Sequence, residues 1–204
     1  PLTRRRLREK VGMTPTEGWT LMLFSYDQLK PVDRYRLMIQ TIIPRPIAWT
    51  LSRNENGSFN LAPFSYFNAI HSHPPLVIQS IGNREEDIPK DTRANILRDR
   101  KFVIHIPSAE HAPLVTQSSL PLATGESEVD DCGLETIDDW DFELPRLKGV
   151  KVAFACELEE QIEVGKNKQG LIIGRILQQY VDDDLITKGE ERPLVDAMKL
   201  APLG

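Results

Sequence analysis

The stretch Asn60-Leu61-Ala62-Pro63-Phe64-Ser65-Tyr66-Phe67-Asn68 decides how this chain is read. It sets hydroxyl and amide side chains beside aromatics just where an apolar strand leaves its pattern. A plain core strand has little use for Pro63, which cannot donate to a ladder, or for Ser65 and Asn68 so soon after it. A segment whose backbone must face a flat ring with polar edges does.

Upstream, Pro44 and Pro46 flank Arg45 and lead into the β-rich run Ile47-Ala48-Trp49-Thr50-Leu51. Arg45 is therefore held stiffly, to pair with a carboxylate or to approach a ligand. Arg53-Asn54-Glu55-Asn56-Gly57 reads as a turn, Asn56-Gly57 being the strongest short hairpin signal. Ser58 to Leu61 returns as a second strand. Leu76 to Ile81 and Phe102 to Ile106 read as a third and a fourth. From Val152 to Gln161 the chain alternates, with Val152, Phe154, Cys156 and Leu158 on one face. A turn over residues 165–170 then leads into Leu171 to Leu177, completing a long hairpin.

Helices are the minority. One is expected from Thr92 to Arg100, with Asp91 as its N-cap and Ala94, Leu97 and Lys101 along one side. A second begins near Glu110, because Pro113 is tolerated only in a first turn. A third starts after Ser127, with Asp130 and Asp131 near its positive end and Gly133 closing it. Many short strands with a few short inserted helices predict a mainly β, split antiparallel barrel and not a βαβ wind.

A chain of 204 residues defaults to one domain, and at this size folding buries roughly 70% of the unfolded surface without disulfide staples. The net charge of −5 gives no pull toward nucleic acid or an anionic membrane, so a phosphate site must be locally basic. Cys132 and Cys156 are the only cysteines and form no Cys-x-x-Cys pair. That usage fits a reducing compartment, and the cytoplasm is the expected location. No run approaches the ~20 apolar residues of a membrane span. Arg4-Arg5-Arg6-Leu7-Arg8 is followed by no long apolar segment, which argues against a secretory signal; Glu9 and Glu17 count against a transit-like leader. Residues 1–21 are read as an N-terminal extension outside the core, and 22–204 as a single domain.

Arg84, Lys90 and Thr92 bring charge and donors together within nine residues, close to Ser80 at the end of a strand. Thr92 also falls near a helix start, where free backbone N–H groups favour anions. The other reading is that Arg84 and Lys90 solvate a loop rich in Glu85, Glu86 and Asp87. His71 and His73 have the spacing of a metal pair on a strand, but no Asp, Glu or Cys completes the set; they precede Pro74-Pro75 and would otherwise rim a pocket. His105, inside an apolar strand, is expected to be a hydrogen-bonded structural histidine. Cys156 reads as core and Cys132 as a loop thiol. The chain has no Gly-x-Gly-x-x-Gly after a strand, no Walker A motif and no Gly-x-Ser-x-Gly elbow.

The order Pro44-Arg45-Pro46, then Asn60 to Asn68, Pro74-Pro75 and Lys90-Asp91-Thr92 resembles the flavin reductase-like family, over about Tyr35 to Val181. Family chains often continue past the point where Pro202-Leu203-Gly204 ends. The resemblance implies an FMN-binding split β-barrel, a homodimer with FMN near the subunit interface, and an oxidoreductase. NADH or NADPH would be the transient co-substrate and a small molecule the electron acceptor. It implies that Thr50, Leu51 and Ser52 lie against the flavin, and that Ser65, Tyr66, Phe67 and Asn68 meet the polar edge of its ring. Ser80, Arg84, Lys90 and Thr92 would hold its phosphate. Tyr66, Phe67 and Trp49 cluster beside that site and are expected at the dimer interface. The alternatives are a flavoprotein that carries FMN without nicotinamide activity, a non-catalytic flavin-binding module, and pyridoxamine-phosphate-oxidase-like chemistry on the same barrel type.

Overall fold

The computed structural model describes residues 23–85, 87–187, 192 and 194–204. The proposed extension over residues 1–21 lies outside them. The chain divides into two compact units, 1–43 and 44–204. In the described part of the first, a helix spans Pro31–Thr41 and buries no residue. Pro31 stands at its first turn, where a missing N–H costs nothing, and Asp33 complements its positive end. No helix had been expected there.

The second unit is built on seven antiparallel strands: β1 (Ala48–Arg53), β2 (Phe59–Phe64), β3 (Phe67–Ser72), β4 (Pro75–Ile81), β5 (Lys101–His105), β6 (Val152–Val164) and β7 (Gln169–Val181). Their spatial order is β2-β1-β5-β6-β7-β4-β3. The Thr50 hydroxyl on β1 nevertheless donates to the Gln79 amide oxygen on β4 at 2.8 Å. The sheet therefore curls until strands far apart in its order face each other, which makes it a split β-barrel with a few short helices.

Sequence dictates much of this locally. Gly57 takes φ 88°, open to glycine without strain, and closes the β1–β2 turn by donating to Asn54 O at 2.9 Å. Strands β6 and β7 pair from Val152↔Val181 to Val164↔Gln169. On β7, a Cβ at Gly174 would stand 2.5 Å from the Phe102 ring, and one at Gly170 would stand 2.6 Å from Arg93 Nε. Both glycines are there for close approach.

The central strands β1 and β5 are buried on both faces, which explains why they read as near-continuous apolar runs. Phe102, Ile104, Val152, Cys156 and Leu158 belong to one core cluster, while Trp49, Leu51, Val103, Leu147 and Ala153 belong to another. Trp49 is fully buried and donates from Nε1 to Ser118 Oγ at 2.9 Å. It is core, and offers no surface to an interface. His105 is the expected structural histidine: Nδ1 lies 3.1 Å from Trp49 O, and Nε2 accepts the Leu147 N–H at 2.8 Å. Complete burial pushes its pKa down to about 3. Cys156 is buried too, and burial pushes its thiol up.

The helix Asp91–Asp99 differs from expectation in two ways. Its N-cap position is Lys90, and no side chain caps it; Asp91 is its first helical residue. Its buried residues are Thr92, Arg93, Asn95 and Ile96, whereas Leu97 is exposed. The reason is the surface it covers. Ser52, Asn54 and Asn60 present polar side chains there, and Asn95 Nδ2 donates to Ser52 Oγ at 3.2 Å and to Asn54 Oδ1 at 2.9 Å. An apolar stripe would leave those groups unpaired.

The helix expected near Glu110 is a short 3-10 turn, Ala109–His111, followed by Ala112–Gln117 with Pro113 in its first turn. The third expected helix, Glu128–Asp131, has Ser127 as its cap, accepting from Asp130 N at 3.2 Å. None of the helices described is long and apolar enough to cross a membrane.

Candidate functional site

Strand β2 is an edge strand, and its free edge builds one wall of the site. Along that edge, Phe59 O accepts from Ser127 Oγ at 2.8 Å and the Leu61 N–H donates to Glu128 Oε2 at 2.9 Å. Pro63, two residues on, has no N–H to leave unsatisfied. The short Glu128–Asp131 helix thus docks against β2 and carries Glu128 to the edge of an open cavity of about 370 Å³.

Asn60, Ala62, Pro63 and Phe64 line this cavity from β2. Asn83, Arg84, Lys90, Asp91 and Thr92 line it from the segment after β4. Residues 118–122 and Glu128 complete it. Lys90 Nζ stands 6.0 Å over the Phe64 ring centroid and makes no hydrogen bond or ion pair among the described residues. Thr92 Oγ1 accepts from Asn60 Nδ2 at 2.9 Å, which leaves the hydroxyl's own hydrogen to donate. The first N–H groups of the Asp91–Asp99 helix open beside them with no side-chain cap.

Arg84 is differently engaged. Its guanidinium donates to Thr124 Oγ1 at 2.5 Å and to Leu122 O, and lies 3.7 Å from Asp91 Oδ2. It ties the loop over residues 118–124 to the Asn83–Glu85 segment. Burial pushes the Glu128 carboxyl above the usual carboxylate range; the Leu61 N–H opposes this, and the nearby Asp91 and Asp131 add to it.

The cavity therefore gathers Arg84, Lys90 and Thr92 from the expected residues. Thr50, Leu51 and Ser52 lie behind its wall, fully buried in β1. Thr50 is bonded to Gln79, and Ser52 Oγ accepts from Asn60 and Asn95. Ser65 and Tyr66 form the turn into β3, Phe67 and Asn68 start that strand, and Ser80 Oγ accepts from Gln169 Nε2 at 2.9 Å. None of these five lines the cavity. His71 and His73 sit exposed at the β3–β4 turn.

The wall residues not named as candidate site residues from sequence are Asn60, Ala62, Pro63, Phe64, Asn83, Asp91, residues 118–122 and Glu128. Asn60 sits inside the quoted stretch, and a polar residue between apolar strand positions was the available signal. For Glu128 and the 118–122 loop there was none, because their proximity arises from tertiary docking.

The lining fits a phosphorylated ligand. An ammonium and a hydroxyl hydrogen with no hydrogen-bond acceptor among the described residues, and an open helix N-terminus, are the donors that a phosphate recruits. Among the described residues no group of three metal-ligating side chains gathers.

Known proteins share this fold. A protein of Halalkalibacterium halodurans, itself uncharacterised, is 34% identical over 173 residues, covering 82% of each chain. The crystal structure of nitrilotriacetate monooxygenase component B from Bacillus cereus superposes with a TM-score of 0.82 at 28% identity, covering 91% of each chain. That of the 2-nitrobenzoate 2-nitroreductase NbaA from Pseudomonas fluorescens gives 0.76 at 26% identity, over 86% of this chain and 83% of its own. Residues 40–199 match the family described as the flavin reductase like domain. The chain belongs to that family of flavin-related oxidoreductases.

Proposed function

We propose that this protein binds FMN in the cavity beside β2 and acts as an FMN-dependent oxidoreductase that uses NADH or NADPH to reduce flavin or another small acceptor. The observation that carries the reading is the convergence of Lys90, Thr92 and the uncapped start of the Asp91–Asp99 helix on one cavity. These groups would hold the phosphate. The β2 segment from Asn60 to Phe64 and the loop over residues 118–122 would flank the rest of the ligand, and Arg84 would hold that loop in place. Bound there, FMN would supply the hydride and electron transfer, and the protein's share is binding and orientation.

The exposed edge strand β3 supports a homodimer. The free thiols Cys132 and Cys156 support a reducing compartment such as the cytoplasm. Likeness to a protein named as a nitroreductase favours a second reading, in which a small molecule is reduced directly at tightly held FMN.

The test starts from purified protein, its absorbance spectrum and equilibrium binding of FMN, FAD and riboflavin. FMN should bind more tightly than FAD, because a single phosphate cluster is present. Equal or tighter FAD binding would sink the assignment. NADH and NADPH added without oxygen should then bleach the bound flavin; if neither does, the protein is a flavin carrier.

A further inference from the structure

Next to the phosphate donors, the cavity wall changes character. Asn60 is 3% exposed, and its Nδ2 donates to Ser52 Oγ at 3.2 Å and to Thr92 Oγ1 at 2.9 Å. With both amide hydrogens committed, only its Oδ1 is left for a ligand, and that atom can only accept.

The next wall group is Glu128, held through the Leu61 N–H one residue along β2. It is 9% exposed and forms no ion pair among the described residues. A carboxylate offers about four lone-pair positions, and the Leu61 N–H together with Glu128's own backbone N–H leaves about half of them unfilled. Burying a carboxylate with so little compensation is costly unless something else satisfies it. Here the remaining acceptor capacity borders the cavity.

Thr92, Asn60 and Glu128 thus follow one another along the wall as a donor and then two acceptors. A ligand that places a phosphate on Thr92 and Lys90, and hydroxyl groups on the atoms after it, matches that order. We propose that Asn60 and Glu128 form a hydroxyl-reading subsite, which accepts hydrogen bonds from the sugar-alcohol chain joining the flavin ring to its phosphate. This rests on the FMN reading above. The same order accounts for a carboxylate close to an anion site: the chain's hydroxyls lie between the two negative groups and satisfy the carboxylate.

The test is Glu128→Gln, which keeps an acceptor for the Leu61 N–H and removes the charge. Equilibrium binding is measured for FMN, riboflavin and lumiflavin, which has a methyl group in place of the hydroxylated chain. A neutral acceptor replaces a charged one, so FMN and riboflavin should each weaken by roughly fivefold to tenfold. Lumiflavin should bind as to wild type, which also reports an intact fold. Tighter FMN binding with riboflavin unchanged would mean that Glu128 only repels the phosphate, and would overturn the subsite. Equal losses for all three ligands would make Glu128 a purely structural cap, and would overturn it as well. Wild type that binds none of the three would remove the FMN reading and this inference with it, whereas wild type that binds FMN beside an unaltered variant removes this inference alone.

Discussion

The Thr50 hydroxyl meets the Gln79 side chain at 2.8 Å inside the barrel, although three strands separate β1 from β4 in the sheet. Both residues are buried, with Thr50 fully so and Gln79 at 1% exposure. The bond uses Gln79 Oε1, and Gln79 Nε2 finds no partner among the described residues. One polar bond thus marks the closure of a barrel whose interior is otherwise lined with groups such as Val77, Ile81 and Ile104.

Thr50→Val keeps the shape and deletes the donor, leaving the Gln79 amide with no partner in the core. Chemical denaturation should show a loss of about 1–3 kcal/mol, the usual cost of a stranded buried polar group. Adding Gln79→Leu should recover most of it, since removing both partners is close to neutral. A double variant as unstable as the single would show that the bond is incidental to closure.

Lys90 and Arg84 both border the cavity but should respond differently. Lys90→Ala removes a cation that makes no hydrogen bond or ion pair among the described residues. It should weaken FMN roughly tenfold to a hundredfold, as expected for a charged hydrogen bond of about 1.5–3 kcal/mol, and leave riboflavin unchanged. Arg84→Ala releases Leu122 and Thr124, so it should weaken FMN and riboflavin by similar factors. Titration of the two variants with both ligands checks this; a Lys90 variant that loses riboflavin equally would place that side chain against the ring.

Short β-rich apolar runs made β1, β5 and β7 legible, and period-two alternation made β6 so, because the buried face of β6 begins by repeating every second residue. Strand β3 escaped because Asn68-Ala69-Ile70-His71-Ser72 does not alternate: its residues are exposed, and a bulge at Ile70 breaks the register with β4. The motif Lys90-Asp91-Thr92 pointed to the wall it forms. The job of Arg84 stayed hidden because its partners lie 38 and 40 residues away, in a loop with no pattern of its own. The polar inner face of the Asp91–Asp99 helix was misjudged for a related reason. Its pairing with Ser52, Asn54 and Asn60 is tertiary, and apolar periodicity cannot report it.

The edge strand β3 leads to a prediction about assembly. It is exposed from Asn68 to Ser72, with Ile70 at 47% exposure on the bulge. An edge with unpaired backbone groups and an apolar side chain is a template for another chain unless it is covered. Light scattering should give twice the chain mass for wild type. Ile70→Glu should shift the protein toward monomer, because burying that charge in an interface is unfavourable. Wild type that is monomeric while holding FMN tightly would refute the dimer.

His105 gives the fold a pH dependence whose sign is fixed by burial. Its folded-state pKa is about 3, against roughly 6.5 for an exposed imidazole. Between those values the unfolded chain binds a proton that the folded one refuses, so stability must fall as pH falls from about 6.5 toward 3. The slope from this one group is up to about 1.4 kcal/mol per pH unit. Above pH 6.5 the imidazole is neutral in both states and contributes no slope. His105→Gln removes the titrating group. Its amide can still donate to Trp49 O or accept from the Leu147 N–H, but it cannot hold both bonds as the ring does. The variant should therefore be less stable at pH 7 and lose less on acidification. Urea midpoints measured at pH 7, 6 and 5 check this: the gap between wild type and variant should narrow as pH drops, and parallel curves would show that His105 charges in the folded state without penalty.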